Sequence, residues 1–145
     1  MRDLPRQLTA EELAELFEGN TRLVELLAET ESPLENAGDV IATLSEEEKV
    51  EALSAHPAIG EKRLSARSAA EQGSDADPAV LSELAYLNQV YEEKFGFRFV
   101  VFVAGRPKRE ILKVLGERIG NTSEKELDTG LRELVAIARD RWTRT

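Results

Sequence analysis

Pro78-Ala79-Val80-Leu81-Ser82-Glu83-Leu84-Ala85-Tyr86-Leu87-Asn88-Gln89-Val90-Tyr91-Glu92-Glu93-Lys94-Phe95-Gly96 opens on a proline, closes on a glycine, and carries Leu81, Leu84, Leu87, Val90 and Tyr91 at three- and four-residue intervals. Proline has no N–H to lose in a first helical turn, and glycine adopts the left-handed geometry that ends a helix. The spacing predicts one long amphipathic helix. The same period recurs on both sides of it. Thr9-Ala10-Glu11-Glu12 has the capping-box pattern ahead of Leu13, Leu16 and Phe17. Asn20 can cap a second helix with Leu23, Val24, Leu26 and Leu27, and Val40, Ile41 and Leu44 mark a short third. Ser45-Glu46-Glu47-Glu48 is another capping box, opening a helix through Val50 and Leu53. Pro107 opens a helix with Ile111, Leu112 and Leu115. Ser123-Glu124-Lys125-Glu126 caps a last one with Leu127, Leu131, Leu134, Ile137 and Ala138. The expected fold is all-α, a single compact multi-helix domain over residues 1–145, with 72–77 as its most mobile loop.

Phe97-Arg98-Phe99-Val100-Val101-Phe102-Val103 breaks the pattern. Its β-branched and aromatic residues favour a strand. A lone strand in a helical protein leaves its backbone groups without partners. Three readings stay open on pattern alone: pairing across a dimer, an extended buried segment whose amides serve a ligand, or a core run with helical character.

Composition narrows the function. The net charge of −9 argues against nucleic acid, because no basic face is available for phosphates. Basic residues gather locally at Lys62-Arg63, at Arg106-Pro107-Lys108-Arg109 and at Arg139 and Arg141, where a small anion could be drawn; solvated surface charge is the plainer reading of most of them. There is no cysteine, hence no disulfide or thiolate nucleophile, and a single histidine argues against zinc; no metal is expected. The polar start, Met1-Arg2-Asp3-Leu4-Pro5-Arg6, begins no signal-peptide run, no stretch nears the roughly 18 apolar residues of a membrane span, and Arg141-Trp142-Thr143-Arg144-Thr145 is no peroxisomal address. A soluble cytoplasmic protein is expected.

The one histidine, His56, stands in Ala55-His56-Pro57-Ala58-Ile59-Gly60. A residue before proline is biased away from helical geometry, so His56 should sit at or just past a helix end. An imidazole can give and take a proton near neutral pH. At a helix carboxyl end it can equally serve only as a partner for the helix dipole. Glu71 follows within reach as an orienting carboxylate, or as solvated surface. Arg141 is a candidate for charge balance, or an i,i+4 partner with a packed stem. Tyr91, Phe95, Phe97 and Trp142 are assigned to core or dimer contacts.

His56-Pro57-x-Ile59-Gly60, Ser68-x-x-Glu71-Gln72, Leu87-Asn88-x-x-Tyr91-x-x-Lys94-Phe95-Gly96-Phe97-x-Phe99-Val100 and Ile137-Ala138-x-x-Arg141 together resemble the 2-oxo-4-hydroxy-4-carboxy-5-ureidoimidazoline (OHCU) decarboxylase family of urate degradation. The four blocks lie in order between about residues 50 and 142. The family usually carries proline where this chain has Arg98.

The resemblance implies an all-α decarboxylase without a cofactor, commonly a homodimer, that converts an anionic ureidoimidazoline to (S)-allantoin and carbon dioxide. It implies His56 as proton donor, with Glu71 and Arg141 as its catalytic companions. Pro57, the run Ser68, Ala69, Ala70, Glu71 and Gln72, and the segment Val101, Phe102, Val103, Ala104 and Gly105 would cradle the substrate. Neither nucleic acid nor membrane is an expected partner. Two rival readings are a related enzyme for another ureido or hydroxy acid, and a catalytically silent helical module; activity across small ureido acids, and tolerance of pocket substitutions, separate them.

Overall fold

The computed structural model describes residues 3–59 and 77–144. Seven helices are present among them: α1 (Ala10–Phe17), α2 (Arg22–Ala28), α3 (Ala37–Ala42), α4 (Glu46–Ser54), α5 (Pro78–Phe95), α6 (Lys108–Ile119) and α7 (Ser123–Arg144). No strand occurs among the described residues. The expected loop at 72–77 falls outside them except for Asp77, which caps α5 by accepting from the Ala79 N–H at 3.0 Å.

The two capping boxes form as expected. The Thr9 and Ser45 hydroxyls accept from the N–H groups of Glu12 and Glu48, whose carboxylates reach back to the cap N–H groups. Two other expected caps shift by one residue. Thr21, not Asn20, starts α2, its hydroxyl accepting from Val24. At α7 the cap is Thr122 rather than Ser123, with its hydroxyl 3.2 Å from the Lys125 N–H. The supposed box partner Glu126 is fully buried and bonds Tyr91, Arg118 and Asn121 instead.

The long helix α7 packs on α1, α3 and α4, while α2 packs on α1, α3 and α4. Its stripe Leu127, Leu131, Leu134, Ile137 and Ala138 is buried as read from the spacing. On α5 the buried line runs through Leu84, Asn88, Tyr91 and Phe95, and Leu87 and Val90 are only partly covered. A polar residue thus takes the central place, and the bond its amide makes offsets its burial. The α5 helix packs on α6.

Between them, 97–103 runs extended and unpaired, with Phe97, Phe99, Val100, Val101 and Val103 buried. Of the three open readings this bears out the extended buried segment over the helical one. Arginines take the place of a neighbouring strand. Arg118 donates to the Val100 carbonyl at 2.7 Å and lies 4.6 Å over the Phe99 ring. Arg106 donates to the carbonyls of Phe102 and Val103 at 2.6 and 3.0 Å. The Phe102 N–H meets the Glu133 carboxylate at 3.3 Å. Tyr91, Phe95, Phe97 and Phe99 form one aromatic cluster, with Tyr91 centroids 4.5–6.0 Å from the other three.

Candidate active site

His56 lies just past the carboxyl end of α4, whose C-cap is Ala55, and is 7% exposed. The helix ends here because Pro57 follows: the pre-proline residue leaves the helical region, and proline brings no N–H to continue the ladder. The short loop 56–59 is held at several points. The His56 N–H donates to the Leu53 carbonyl at 3.1 Å, closing the last turn. The Nδ1 of its ring lies 3.2 Å from the Pro57 carbonyl, a separation that suits a protonated Nδ1 as donor. The Arg98 guanidinium donates to the His56 carbonyl at 2.7 Å, and the Asn88 amide to that of Ile59 at 3.2 Å.

Arg141 approaches from the other side. It is 3% exposed, and its Nη1 is 3.1 Å from both the Glu18 carboxylate and the Leu16 carbonyl. The guanidinium therefore secures the end of α1, where orphan carbonyls collect negative partial charge. Glu18 itself holds the left-handed region at φ 63°. The next residue, Gly19, packs so closely on α4 that an added Cβ would meet the Ala55 Cβ at 3.0 Å. Arg141, the Glu18–Gly19 turn, Ala55 and His56 thus form a continuous chain of neighbours.

Of the residues expected to cradle the substrate, Pro57 lies in the His56 loop. Val101, Phe102, Val103, Ala104 and Gly105 lie in the extended segment and its closing turn. Ser68, Ala69, Ala70, Glu71 and Gln72 lie outside the described residues, as do Lys62 and Arg63. Of the other basic residues, Arg106, Arg139 and Arg141 donate to backbone carbonyls, Arg139 to that of Leu34 at 2.8 Å, whereas Arg109 is exposed and faces the Asp77 carboxylate at 3.4 Å. Arg141 is thus buried, while Arg109 and Arg139 keep to the surface as the plainer reading had them.

Sequence reasoning passed over Glu18, Gly19 and the roles of Asn88 and Arg98. Gly19 after a helical run is a turn signal, but nothing local marks Glu18 as strained. A cleft of about 540 Å³ adjoins the loop, lined by Ala58 and Ile59 and by Ala85, Asn88, Gln89, Glu92 and Glu93. Its two carboxylates disfavour an anion there. Among the described residues no cluster of three or more histidine, cysteine or carboxylate side chains could hold a metal ion, and no helix is long and apolar enough to cross a membrane.

The OHCU decarboxylase family model matches residues 2–143. A 2-oxo-4-hydroxy-4-carboxy-5-ureidoimidazoline decarboxylase of Halalkalicoccus jeotgali is 31% identical over 105 residues, covering 69% of this chain and 60% of that protein. The uric acid degradation bifunctional protein of a Bacillus species is also 31% identical over 105 residues, a stretch that spans only 21% of its length and 69% of this chain. Among solved structures, an OHCU decarboxylase crystallised in the presence of (S)-allantoin superposes with a TM-score of 0.77 at 25% identity, covering 92% of this chain and 96% of that one. With the family model matched across nearly the whole chain and the helical fold shared with that structure, the chain belongs to the OHCU decarboxylase family.

Proposed function

We propose that this protein decarboxylates OHCU to (S)-allantoin and carbon dioxide in urate degradation, without a cofactor. The observation that carries the reading is the buried His56, fixed past the end of α4 in a chain matched by the family over residues 2–143. The carbon that loses carbon dioxide adjoins a carbon–nitrogen double bond. When carbon dioxide leaves, the freed electron pair forms a carbon–carbon double bond, the imine pair moves to the ring nitrogen, and that nitrogen takes up a proton, giving an enamine-like intermediate. The substrate thereby supplies the electron sink that other decarboxylases take from a cofactor. A proton then adds to the former imine carbon on one face, and the neighbouring hydroxyl loses its proton to become the carbonyl of allantoin.

His56 delivers that proton. Glu71 orients the imidazole or grips substrate N–H groups. Arg141 balances developing negative charge or binds the substrate's polar edge. Pro57, the run from Ser68 to Gln72 and the segment from Val101 to Gly105 hold the carboxylate out of the ring plane, the geometry the breaking bond needs. The protein works as a cytoplasmic homodimer.

The test follows the circular dichroism of OHCU generated in situ from urate. Uncatalysed decay is slow and racemic. The expected result is rapid growth of the (S)-allantoin signal, lowered about a hundredfold or more by His56→Ala at an unchanged melting temperature. An unaltered racemic decay with the wild-type protein overturns the proposed reaction. A His56→Ala variant with wild-type turnover overturns the role of the imidazole.

A further inference from the structure

The geometry points to Arg98, assisted by Asn88, as a positioning residue that clamps the backbone of the His56 loop and so aims the imidazole; this rests on the proposed role of His56 in proton transfer. The loop leaves α4 where carbonyls lack intrahelical partners, and the last turn of α4 contains no basic residue to complement them. Arg98 supplies both deficits from 42 residues away. Its Nη1 donates to the His56 carbonyl at 2.7 Å, placing a positive charge at the end of α4. Its Nε faces the Glu92 carboxylate at 3.4 Å, so the side chain is held from both ends and is only a quarter exposed.

The second point of the clamp lies across the loop. The buried Asn88 amide donates to the Ile59 carbonyl at 3.2 Å. Pro57, between the two, has its φ fixed by the ring. With the Ile59 carbonyl tied to α5 and that of His56 to Arg98, three residues past its end, the peptide planes that set the Cα–Cβ direction of His56 are held against swinging. Among the described residues the Arg98 guanidinium bonds only to the His56 loop and to Glu92. Phe97 and Phe99 on either side carry the apolar burial, and the guanidinium spends its donors on the catalytic loop and on Glu92. The position at which this chain departs from the family's usual proline is therefore one that acts on the proposed proton donor.

Because His56 is the only histidine, tag-free protein labelled with histidine carrying ¹³C at Cε1 alone gives a single ring resonance that reports its environment directly. Arg98→Ala, Arg98→Lys and Asn88→Ala are compared with wild type for that resonance, melting temperature, kcat, KM and the enantiomeric excess of allantoin. In Arg98→Ala the His56 resonance should shift or broaden. Its kcat should fall about tenfold or more, with KM within about twofold, and enantiomeric excess should drop as solvent protonates the unguarded face. Arg98→Lys, which keeps the charge and one donor, should recover part of each, and Asn88→Ala should show a weaker form of the same pattern.

Unchanged His56 resonance in Arg98→Ala overturns the clamp whatever the activity does. A rise in KM alone also overturns it, since that would make Arg98 a substrate-binding group. If Arg98→Ala fails to fold, Arg98→Lys carries the same comparison. Should the wild-type protein leave OHCU untouched, the proposed reaction fails, while the resonance still decides the clamp.

Discussion

Glu18 holds a φ of 63° and Ala104 one of 52°, a region that L side chains enter at a cost of about 1–2 kcal/mol. Such strain persists only where surrounding contacts over-determine it, and it gathers at functional sites. Arg141 supplies those contacts for Glu18. Ala104 shares its turn with Gly105, at φ 74°, and the Arg106 N–H closes the turn on the Val103 carbonyl at 3.0 Å. Positive φ at both central residues is the I′ pattern, which favours glycine at each. A Cβ on Gly105 would meet nothing within 4 Å, so the cost of adding one is that of the backbone alone. Gly105→Ala should therefore destabilise by about 1 kcal/mol, read as a melting temperature lower by a few degrees. A loss above about 3 kcal/mol would mean that packing, not φ, governs the turn.

The start of α7 shows how a correct local pattern can name the wrong cap. Thr122 and Ser123 are both cap formers, and Glu126 completes a box with Ser123 by spacing alone. The helix begins one residue earlier because Glu126 is drawn into the core, 2.7 Å from both the Tyr91 hydroxyl and the Arg118 Nε. Thr122→Ala should cost about 1 kcal/mol and Ser123→Ala less than about 0.5 in denaturant unfolding; the reverse order would restore Ser123 as the cap. The extended segment has a similar lesson. Its residues favour a strand, and its backbone is extended, but beside the nearby Arg106 the groups that satisfy it come from Arg118 and Glu133, 18 and 31 residues away from their partners. No pattern within 97–103 encodes those arginine and glutamate partners.

Tyr91, Glu126, Arg118 and Asn121 tie α5, α6, α7 and the extended segment together through one buried polar network. Burial, with the Glu126 carboxylate accepting from the phenol, pushes the Tyr91 hydroxyl well above its ordinary range. A raised pKa means that above about pH 10 the unfolded chain gives up a proton that the folded one keeps, so folding stability is full below that pH and falls as the pH rises further. Chemical denaturation between pH 8 and 11 should show this decline in the wild type and a flatter profile in Tyr91→Phe; equal slopes would remove Tyr91 as its source. Helix periods, prolines, glycines and most caps are relations among residues a few positions apart, and for that reason the all-α class, the element order and the place of His56 past a helix end are legible along the chain. The motif spacing extends this to the family. The pairings that build the site lie beyond such reach: Asn88 meets Ile59 across 29 residues, Arg98 meets His56 across 42, and Arg141 meets Leu16 across 125. They arise because the packed core places helix ends and loops with unsatisfied carbonyls beside long basic side chains, which can be buried only where such acceptors receive them.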